Sequence, residues 1–296
     1  MALTLAESAK LSRDMLQLGV IETIIEESPV LQVLPFLTVE GNSFKYNQEA
    51  GLGGASFFAV NGIWSEGTAT FTQKTSNLAI LGGDADVDNF IQRTRSNLQD
   101  QRAIQTQLKA KSVARKFEET FVTGDTVVDA NAFDGLRVLA TSAQTITPGA
   151  NGGALTLALV DELIDKIKGG RPDLLLLSKR TRRKLKSLLV ASQHYVESGA
   201  AQFGRQIMFY DGIPVEASDW LPDNETQGTG TSLSSMYAIH ISEADGLVGL
   251  QNGGIEAVDV GQLESKDGVR VRIRWYVALA LLRDSALARI SGINAS

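Results

Sequence analysis

Histidine and cysteine, which often serve as metal ligands and as nucleophiles or bases, are scarce in this chain, which has two histidines and no cysteine. Neither His194 nor His240 has a second histidine at metal-ligand spacing, so the sequence predicts no histidine-based metal site. We expect His194 on the surface or at a helix end, and His240 as a structural residue of a strand. A hydrolase-type Ser-His-Asp triad would be signalled by a Gly-x-Ser-x-Gly turn, and the chain has none.

Phosphate-binding and calcium-binding motifs are also missing. No glycine is followed by lysine, which excludes a P-loop, and no Gly-x-Gly-x-x-Gly follows a predicted strand. The acidic run 84–88 begins like a calcium loop, but its sixth position is Asn89 instead of Gly and its twelfth is Arg95 instead of Glu. We interpret these acids as the start of a helix, whose dipole favours negative charge there. The sequence therefore predicts no cofactor, no metal and no enzymatic activity.

Two rows of basic residues remain as candidates for binding. One is the alternating row Arg270, Arg272 and Arg274, and the other is a set of seven lysines and arginines within residues 93–116. Both could face nucleic acid, but arginine on an apolar strand more often pairs with acids across the sheet or across a subunit boundary. The net charge of −6 argues against a dedicated nucleic-acid-binding protein.

A Gly-rich loop between two predicted strands carries several large apolar side chains. The strands are 36–47 and 68–81, which alternate polar and apolar residues. The loop, 48–67, includes Phe57, Phe58, Ile63 and Trp64. Because these side chains would form an exposed patch, the loop either folds back on its own chain or is buried on another subunit. We favour the second.

Two long helices are predicted in the first half. Residues 4–27 have amphipathic spacing up to Ser28-Pro29, and this helix packs on its own domain or reaches a neighbour as an arm. Residues 84–123 contain neither Gly nor Pro and place apolar residues mostly three, four or seven apart, up to Gly124-Asp125. A helix of that length needs a sheet or another subunit along it.

An α/β passage occupies the middle of the second half. It consists of a helix over 155–168, a buried strand over 173–177 and a helix over 180–191 that Ser178 caps. Residues 226–235 have the composition of a flexible loop.

The C-terminal region gives the clearest strand pattern of the sequence. Apolar residues and arginines alternate strictly over 269–275, and the turn Lys266-Asp267-Gly268 joins this strand to 255–263. We predict that residues 277–282 and 286–290 continue the same sheet.

The order of these elements resembles the tailed-bacteriophage major capsid proteins of the Hong Kong 97 fold. The resemblance covers nearly the whole chain and includes four short phrases, namely Phe133-Asp134-Gly135-Leu136, Arg171-Pro172-Asp173, Tyr210-Asp211-Gly212-Ile213-Pro214-Val215 and Ala244-Asp245-Gly246-Leu247. It implies an α+β fold divided into an N-terminal arm (1–35), an extended hairpin loop (36–83), a peripheral domain with a spine helix (84–152 and 243–296) and an axial domain (153–242).

The resemblance also implies a structural function. The subunit would self-assemble into pentamers and hexamers of an icosahedral shell that encloses phage genomic DNA, with the hairpin lying across a neighbour and the 226–235 loop near the local axis. The implied partners are further copies of the chain, a portal, a separate scaffold or decoration protein, and DNA held without sequence specificity, but no membrane. The expected location is the virion capsid, assembled in the host cytoplasm.

The residues predicted to contact other subunits come from the loop and the arginine row. They are Phe57, Phe58, Ile63, Trp64, Arg270, Arg272 and Arg274. Some relatives join subunits through lysine–asparagine bonds, but the surroundings of Lys45 and Lys74 in the hairpin give no sign of such chemistry, and we predict no cross-link.

Two other functions stay open from the sequence. An encapsulin-like compartment would use the same fold to enclose a cargo enzyme instead of DNA. A soluble α/β enzyme would use residues 155–240 as its catalytic domain, but it lacks catalytic motifs and would have to bury the long helix and the apolar loop within one subunit.

Overall fold

The computed structural model describes residues 20, 23–24, 30–51, 53–95, 101–192, 197–200 and 206–295. Within these ranges the chain is an α+β protein with two large sheets and a separate two-stranded hairpin. Most of the helix predicted over 4–27 lies outside the described residues. Val20 and Ile24 are helical, and both are buried in the chain's own core.

The helices in the described ranges are α1 (Val30–Val33), α2 (Asn89–Arg95), α3 (Gln101–Thr123), α4 (Leu136–Leu139), α5 (Leu157–Asp165) and α6 (Lys179–Ala191). The strands are β1 (Phe36–Thr38), β2 (Ser43–Gly51), β3 (Thr70–Asn77), β4 (Ala79–Asp88), β5 (Thr145–Ile146), β6 (Gly153–Ala154), β7 (Leu174–Leu177), β8 (Glu197–Ala200), β9 (Gln206–Tyr210), β10 (Ile213–Ala217), β11 (Glu225–Gln227), β12 (Gly230–Ile239), β13 (Leu247–Gln262), β14 (Gly268–Leu281) and β15 (Leu287–Asn294).

The first large sheet has the strand order β1-β13-β14-β4 and confirms the predicted C-terminal hairpin. β13 and β14 pair from Gln262 opposite Val269 to Leu247 opposite Leu281. Trp275 of β14 is fully buried, and its ring centroid lies 5.0 Å from that of Phe117 on α3. This aromatic contact packs the long helix onto the sheet, which is the support that a helix of its length was expected to need.

The prediction of one helix over 84–123 is wrong at its N-terminal end. Residues Ala79–Asp88 form β4, which pairs with β14, whereas the described residues from Asn89 to Thr123 are helical, as α2 and α3. Asp84 lies opposite Arg272 and Asp86 opposite Arg270, so ladder hydrogen bonds and cross-strand ion pairs hold this segment as a strand. The interpretation of these acids as a helix start is therefore wrong for Asp84 and Asp86. It holds for Asp88, whose carboxylate accepts a hydrogen bond from the Phe90 N–H at 2.8 Å at the start of α2.

The second large sheet has the strand order β5-β15-β12-β7-β10-β9-β8. All four leucines of its central strand β7 are buried, because alternate side chains face two different cores. Leu174 and Leu176 lie in the core that contains Trp275, whereas Leu175 and Leu177 lie in a second core beneath α5 and α6.

Two local helix boundaries follow the sequence predictions. The Ser178 hydroxyl caps α6 and accepts a hydrogen bond from the Thr181 N–H at 3.2 Å. α3 ends before Gly124, where an added Cβ would overlap the carbonyl oxygens of Phe133 and Thr120. The Phe133–Leu136 turn can therefore pack directly against the end of the helix.

Two predictions about the C-terminal half are wrong. The predicted flexible loop 226–235 is mostly strand, because β11 and β12 pair across a turn at Gly228, whose φ of 57° suits glycine. The segment 286–290 belongs to β15, which pairs with β12 instead of extending the β13–β14 sheet. A short 3-10 turn over Asp284–Ala286 carries the chain from one sheet to the other.

The domain boundaries remain a prediction, and sheet membership bears on one of them. We assigned 243–296 as a whole to the peripheral domain, but β15 contributes to the sheet built mainly from 153–242. We therefore propose that the last strand be counted with the axial domain.

Candidate assembly interface

The tip of the β2–β3 hairpin is an ordered turn that presents apolar side chains to solvent. The rings of Phe58 and Trp64 stack with centroids 4.5 Å apart, and the Gly62 N–H donates to the Ala59 carbonyl at 2.9 Å. Around this turn, the exposed fractions of Phe57, Val60, Ile63 and Trp64 are 108, 95, 93 and 80%. The structure therefore brings the four predicted loop residues together in one exposed apolar surface, which we call the tip patch (Phe57, Phe58, Val60, Ile63 and Trp64).

Two glycines hold the neck of this tip narrow. A Cβ on Gly53 would press on the backbone of Gly67, and a Cβ on Gly67 would press on Gly54. The two chain segments run side by side here, beyond the last β2–β3 pair of Gly51 with Thr70. The two segments therefore form a narrow connection to the tip, whose apolar side chains no described part of the subunit covers.

The middle of the hairpin is attached to the body of the subunit by two polar contacts. The buried Gln48 amide donates to the Leu281 carbonyl at 2.7 Å, and the Lys74 ammonium lies 2.8 Å from the Asp284 carboxylate. Sequence analysis missed both contacts, since their partners are more than 200 residues apart and no local pattern marks them. They fix the paired part of the hairpin, and the tip patch beyond Gly51 and Thr70 stays exposed.

The arginine row is paired within its own sheet. Arg270 binds Asp86, Arg272 binds Asp84, and Arg274 binds Glu256, each with an Nε–carboxylate distance of 2.6–2.7 Å. This agrees with the expectation that such arginines pair with acids, and places those acids in the same chain. Whether the row also contacts another subunit stays a prediction.

These pairs set the charge state of the strand. The hydrogen bond from Arg270, aided by Lys266, holds the pKa of Asp86 well below its usual range, and Arg272 lowers the pKa of Asp84 in the same way. Arg102 of α3 likewise hydrogen-bonds Asp259 of β13 and lowers its pKa. The lowered pKa values keep Asp84, Asp86 and Asp259 ionised further into the acidic range than an ordinary aspartate.

His240 lies where the chain passes from β12 towards β13, and its contacts fit the expected structural role. Its Nδ1 is 2.8 Å from the Asp173 carboxylate, and its Nε2 is 3.4 Å from that of Asp245. Asp245 also pairs with Arg283. The expectation for His194 falls outside the described residues.

The described part of the chain adds two observations on sites. It contains no group of three or more His, Asp and Glu side chains placed to hold a metal ion. It also contains no helix with the length and apolar character needed to cross a membrane.

Comparison with known proteins supplies the family. Residues 64–245, well over half of the chain, match the family model described as SU10 major capsid protein. The chain belongs to the SU10 major capsid protein family. It is therefore a structural subunit of a phage capsid, which is the role that the ordered elements of the sequence predicted. No curated protein sequence matches it.

Solved capsid and compartment shells share the fold of this capsid protein. The encapsulin SrpI of Synechococcus elongatus PCC 7942, solved as a holo complex, is 19% identical with a TM-score of 0.73, over 93% of this chain and 90% of that one. A structure from Microbacterium phage Oxtober96 is 15% identical with a TM-score of 0.65, over 90% of each chain. The capsid of a native GTA particle is 13% identical with a TM-score of 0.65, over 90% of this chain and 91% of that one. These likenesses confirm the α+β capsid fold.

Proposed function

We propose that this subunit assembles into pentamers and hexamers of an icosahedral shell that encloses phage genomic DNA, using the tip patch as an apolar anchor on a neighbouring copy. The exposure of the tip patch is the observation that carries the proposal. The chain belongs to a capsid protein family, and in a shell of identical copies a neighbouring subunit would bury these side chains. Assembly would take place in the host cytoplasm, with a portal and a separate scaffold or decoration protein as further partners.

The amount of exposed apolar surface in the tip patch supports its burial on a neighbouring copy. Burying one large apolar side chain contributes roughly 1.5–3 kcal/mol, and Phe57, Val60, Ile63 and Trp64 are almost wholly exposed. The patch is part of neither described core, and the Gln48 and Lys74 contacts fix the hairpin strands that lead to it. A second copy can cover it without any change in the subunit, and every copy both offers a tip and receives one.

The arginine row has a secondary place in this proposal. Arg270, Arg272 and Arg274 each have an acid partner in their own chain, so a contact across a boundary would add to an existing pair. We expect such contacts to set register more than affinity.

Assembly of tip variants tests the proposal. The double variant Phe57→Asp with Trp64→Asp should give folded subunits that fail to close shells, because charged side chains cannot be buried in an apolar contact. Electron microscopy and size-exclusion chromatography report assembly, and circular dichroism reports folding. The matched control Ser56→Asp with Ser65→Asp adds the same charge to the same loop, keeps the apolar anchors, and should still form shells. Normal particles from the first variant, or a wild-type chain that stays monomeric, would overturn the proposal.

An encapsulin-like compartment is the second candidate, favoured by the TM-score of 0.73 with SrpI. The content of purified particles separates the two functions. Nucleic acid with a portal supports the phage shell, whereas particles filled with a co-purifying enzyme support the compartment. Neighbouring genes give the same distinction, since a terminase and a portal accompany a phage capsid gene.

A further inference from the structure

Helix α6 concentrates positive charge in an otherwise acidic chain. Its thirteen residues include no acid and six cations, namely Lys179, Arg180, Arg182, Arg183, Lys184 and Lys186. The chain as a whole has a net charge of −6. The opposite side of the helix packs Thr181, Leu185 and Leu189 into the core beneath the second sheet.

Four of the six cations form one stripe on the outer side of the helix. Lys179, Arg182, Arg183 and Lys186 are exposed and stand at positions i, i+3, i+4 and i+7, which share one helix face. At a rise of 1.5 Å per residue the stripe is roughly 10 Å long. We call these four residues the α6 stripe.

Most of the α6 stripe has no acid partner. Lys179 pairs with Asp219 at 2.5 Å, but Arg182, Arg183 and Lys186 form no ion pair with any residue that the structure describes. The arginine row of β14, which the sequence had singled out for nucleic acid, is instead neutralised by its own sheet. Among the two basic rows of the described residues, the one left largely without acid partners is therefore on α6.

An unrelieved row of like charges works against folding. Like charges three or four residues apart destabilise a helix, and exchanging one of them for an acid would turn the repulsion into attraction. The stripe does not contribute to the core, which Leu185 and Leu189 complete. Its exposed charge is therefore available to an anionic partner outside the described subunit.

We propose that the α6 stripe binds the phosphate backbone of duplex DNA inside the shell, an inference that rests on the proposed function. Duplex DNA carries about one negative charge per 1.7 Å of its axis, so a stripe of this length meets several phosphates at once. Arginine and lysine bind phosphates without reading bases, which suits a genome that must be held at any sequence.

A second copy of the chain is the competing partner. The neighbouring helix α5 carries exposed Asp161, Glu162 and Asp165, and on another subunit these acids could pair with the stripe. A contact between subunits would make the stripe necessary for assembly. A contact with DNA would leave assembly intact and change only the binding of nucleic acid.

The salt dependence of DNA binding tests the proposal. The full-length chain, before shell closure, is titrated with a 30-base-pair duplex at several NaCl concentrations. The slope of the logarithm of the binding constant against the logarithm of the salt concentration is negative. In the variant R182Q/R183Q/K186Q this slope should become shallower by about 2.7, or 0.9 for each phosphate that is no longer neutralised. R182K/R183K keeps the charge and should retain the slope. K45Q/R93Q/R137Q removes three exposed cations that form no ion pair with described residues and lie off the stripe, and it should also retain the slope.

Each outcome separates the partners. A shallower slope confined to R182Q/R183Q/K186Q, with normal particles that hold less nucleic acid, supports the proposal. An unchanged slope overturns it, and an unchanged slope with failed assembly assigns the stripe to a second copy. Wild-type particles that form but contain no nucleic acid overturn the proposal that the shell encloses DNA. In that case the duplex titration of the free chain still tests whether the α6 stripe binds DNA.

Discussion

Arg270 and Asp86 are joined across the β4–β14 ladder by two parallel hydrogen bonds, Nε to Oδ1 at 2.6 Å and Nη2 to Oδ2 at 2.8 Å. The two residues are 184 positions apart in sequence. This fork-to-fork geometry fixes both the distance and the orientation of the strands. The pair therefore attaches β4, which follows the β2–β3 hairpin in the chain, to the β13–β14 hairpin.

The pair predicts how stability depends on pH. Because the folded pKa of Asp86 lies below its ordinary value of 3.8, its contribution is complete above that value and is lost as pH falls towards the folded pKa. Asp86→Asn should therefore lower the thermal midpoint clearly at pH 7 and much less at pH 2.5, as measured by circular dichroism. Glu264→Gln, in the β13–β14 turn, is the control and should leave the midpoint unchanged at both pH values. An equal loss from Asp86→Asn at pH 7 and pH 2.5 would contradict this role.

The ion pair between Arg289 and Glu225 predicts a large loss from a single change and a recovery from a double one. The side chains are only 14 and 9% exposed, and Ser235 hydrogen-bonds both of them. Glu225→Leu leaves a buried guanidinium without its acid, and should reduce the free energy of unfolding by about 3–5 kcal/mol. Adding Arg289→Leu removes the unpaired guanidinium and should recover much of the lost stability. Urea unfolding of both variants measures the difference, and a double variant less stable than the single one would refute the explanation.

The close contact at the end of α3 predicts a cost for adding one methyl group. In Gly124→Ala the new Cβ would overlap the Phe133 and Thr120 carbonyl oxygens, so the turn after the helix must move. We expect a loss of about 1–3 kcal/mol in urea unfolding, as for overpacked sites. Gly170→Ala is the control, because a Cβ there meets nothing within 4 Å. Equal stability of the two variants would show that the turn moves freely.

The sequence predicted elements whose pattern is local. Strict alternation of arginine with apolar residues over 269–275 predicted β14, and Ser178 predicted the start of α6. The tip patch followed from its composition, because five large apolar residues among glycines have no place on an isolated surface. The family followed from the order of the elements.

The errors concern segments whose partners are distant in sequence. Residues 84–88 fit a helical period as well as a strand period, and only β14 decides between them. The small polar residues after Glu225 read as a loop until β12 is seen to pair with β11 and β15. The sequence did not predict the α6 stripe as a binding surface, because it does not show which of the basic residues have acid partners in the folded chain.

The position of β15 limits how this subunit can be dissected. The strand lies between β5 and β12, so a piece cut as 153–242 would expose the edge of β12 from Ser234 to Ile239, which includes the buried Met236 and Ala238. Such an open edge invites pairing with foreign strands. A transplantable axial module must therefore carry 287–294 with it, most simply through a circular permutation that joins this strand to the rest of its sheet.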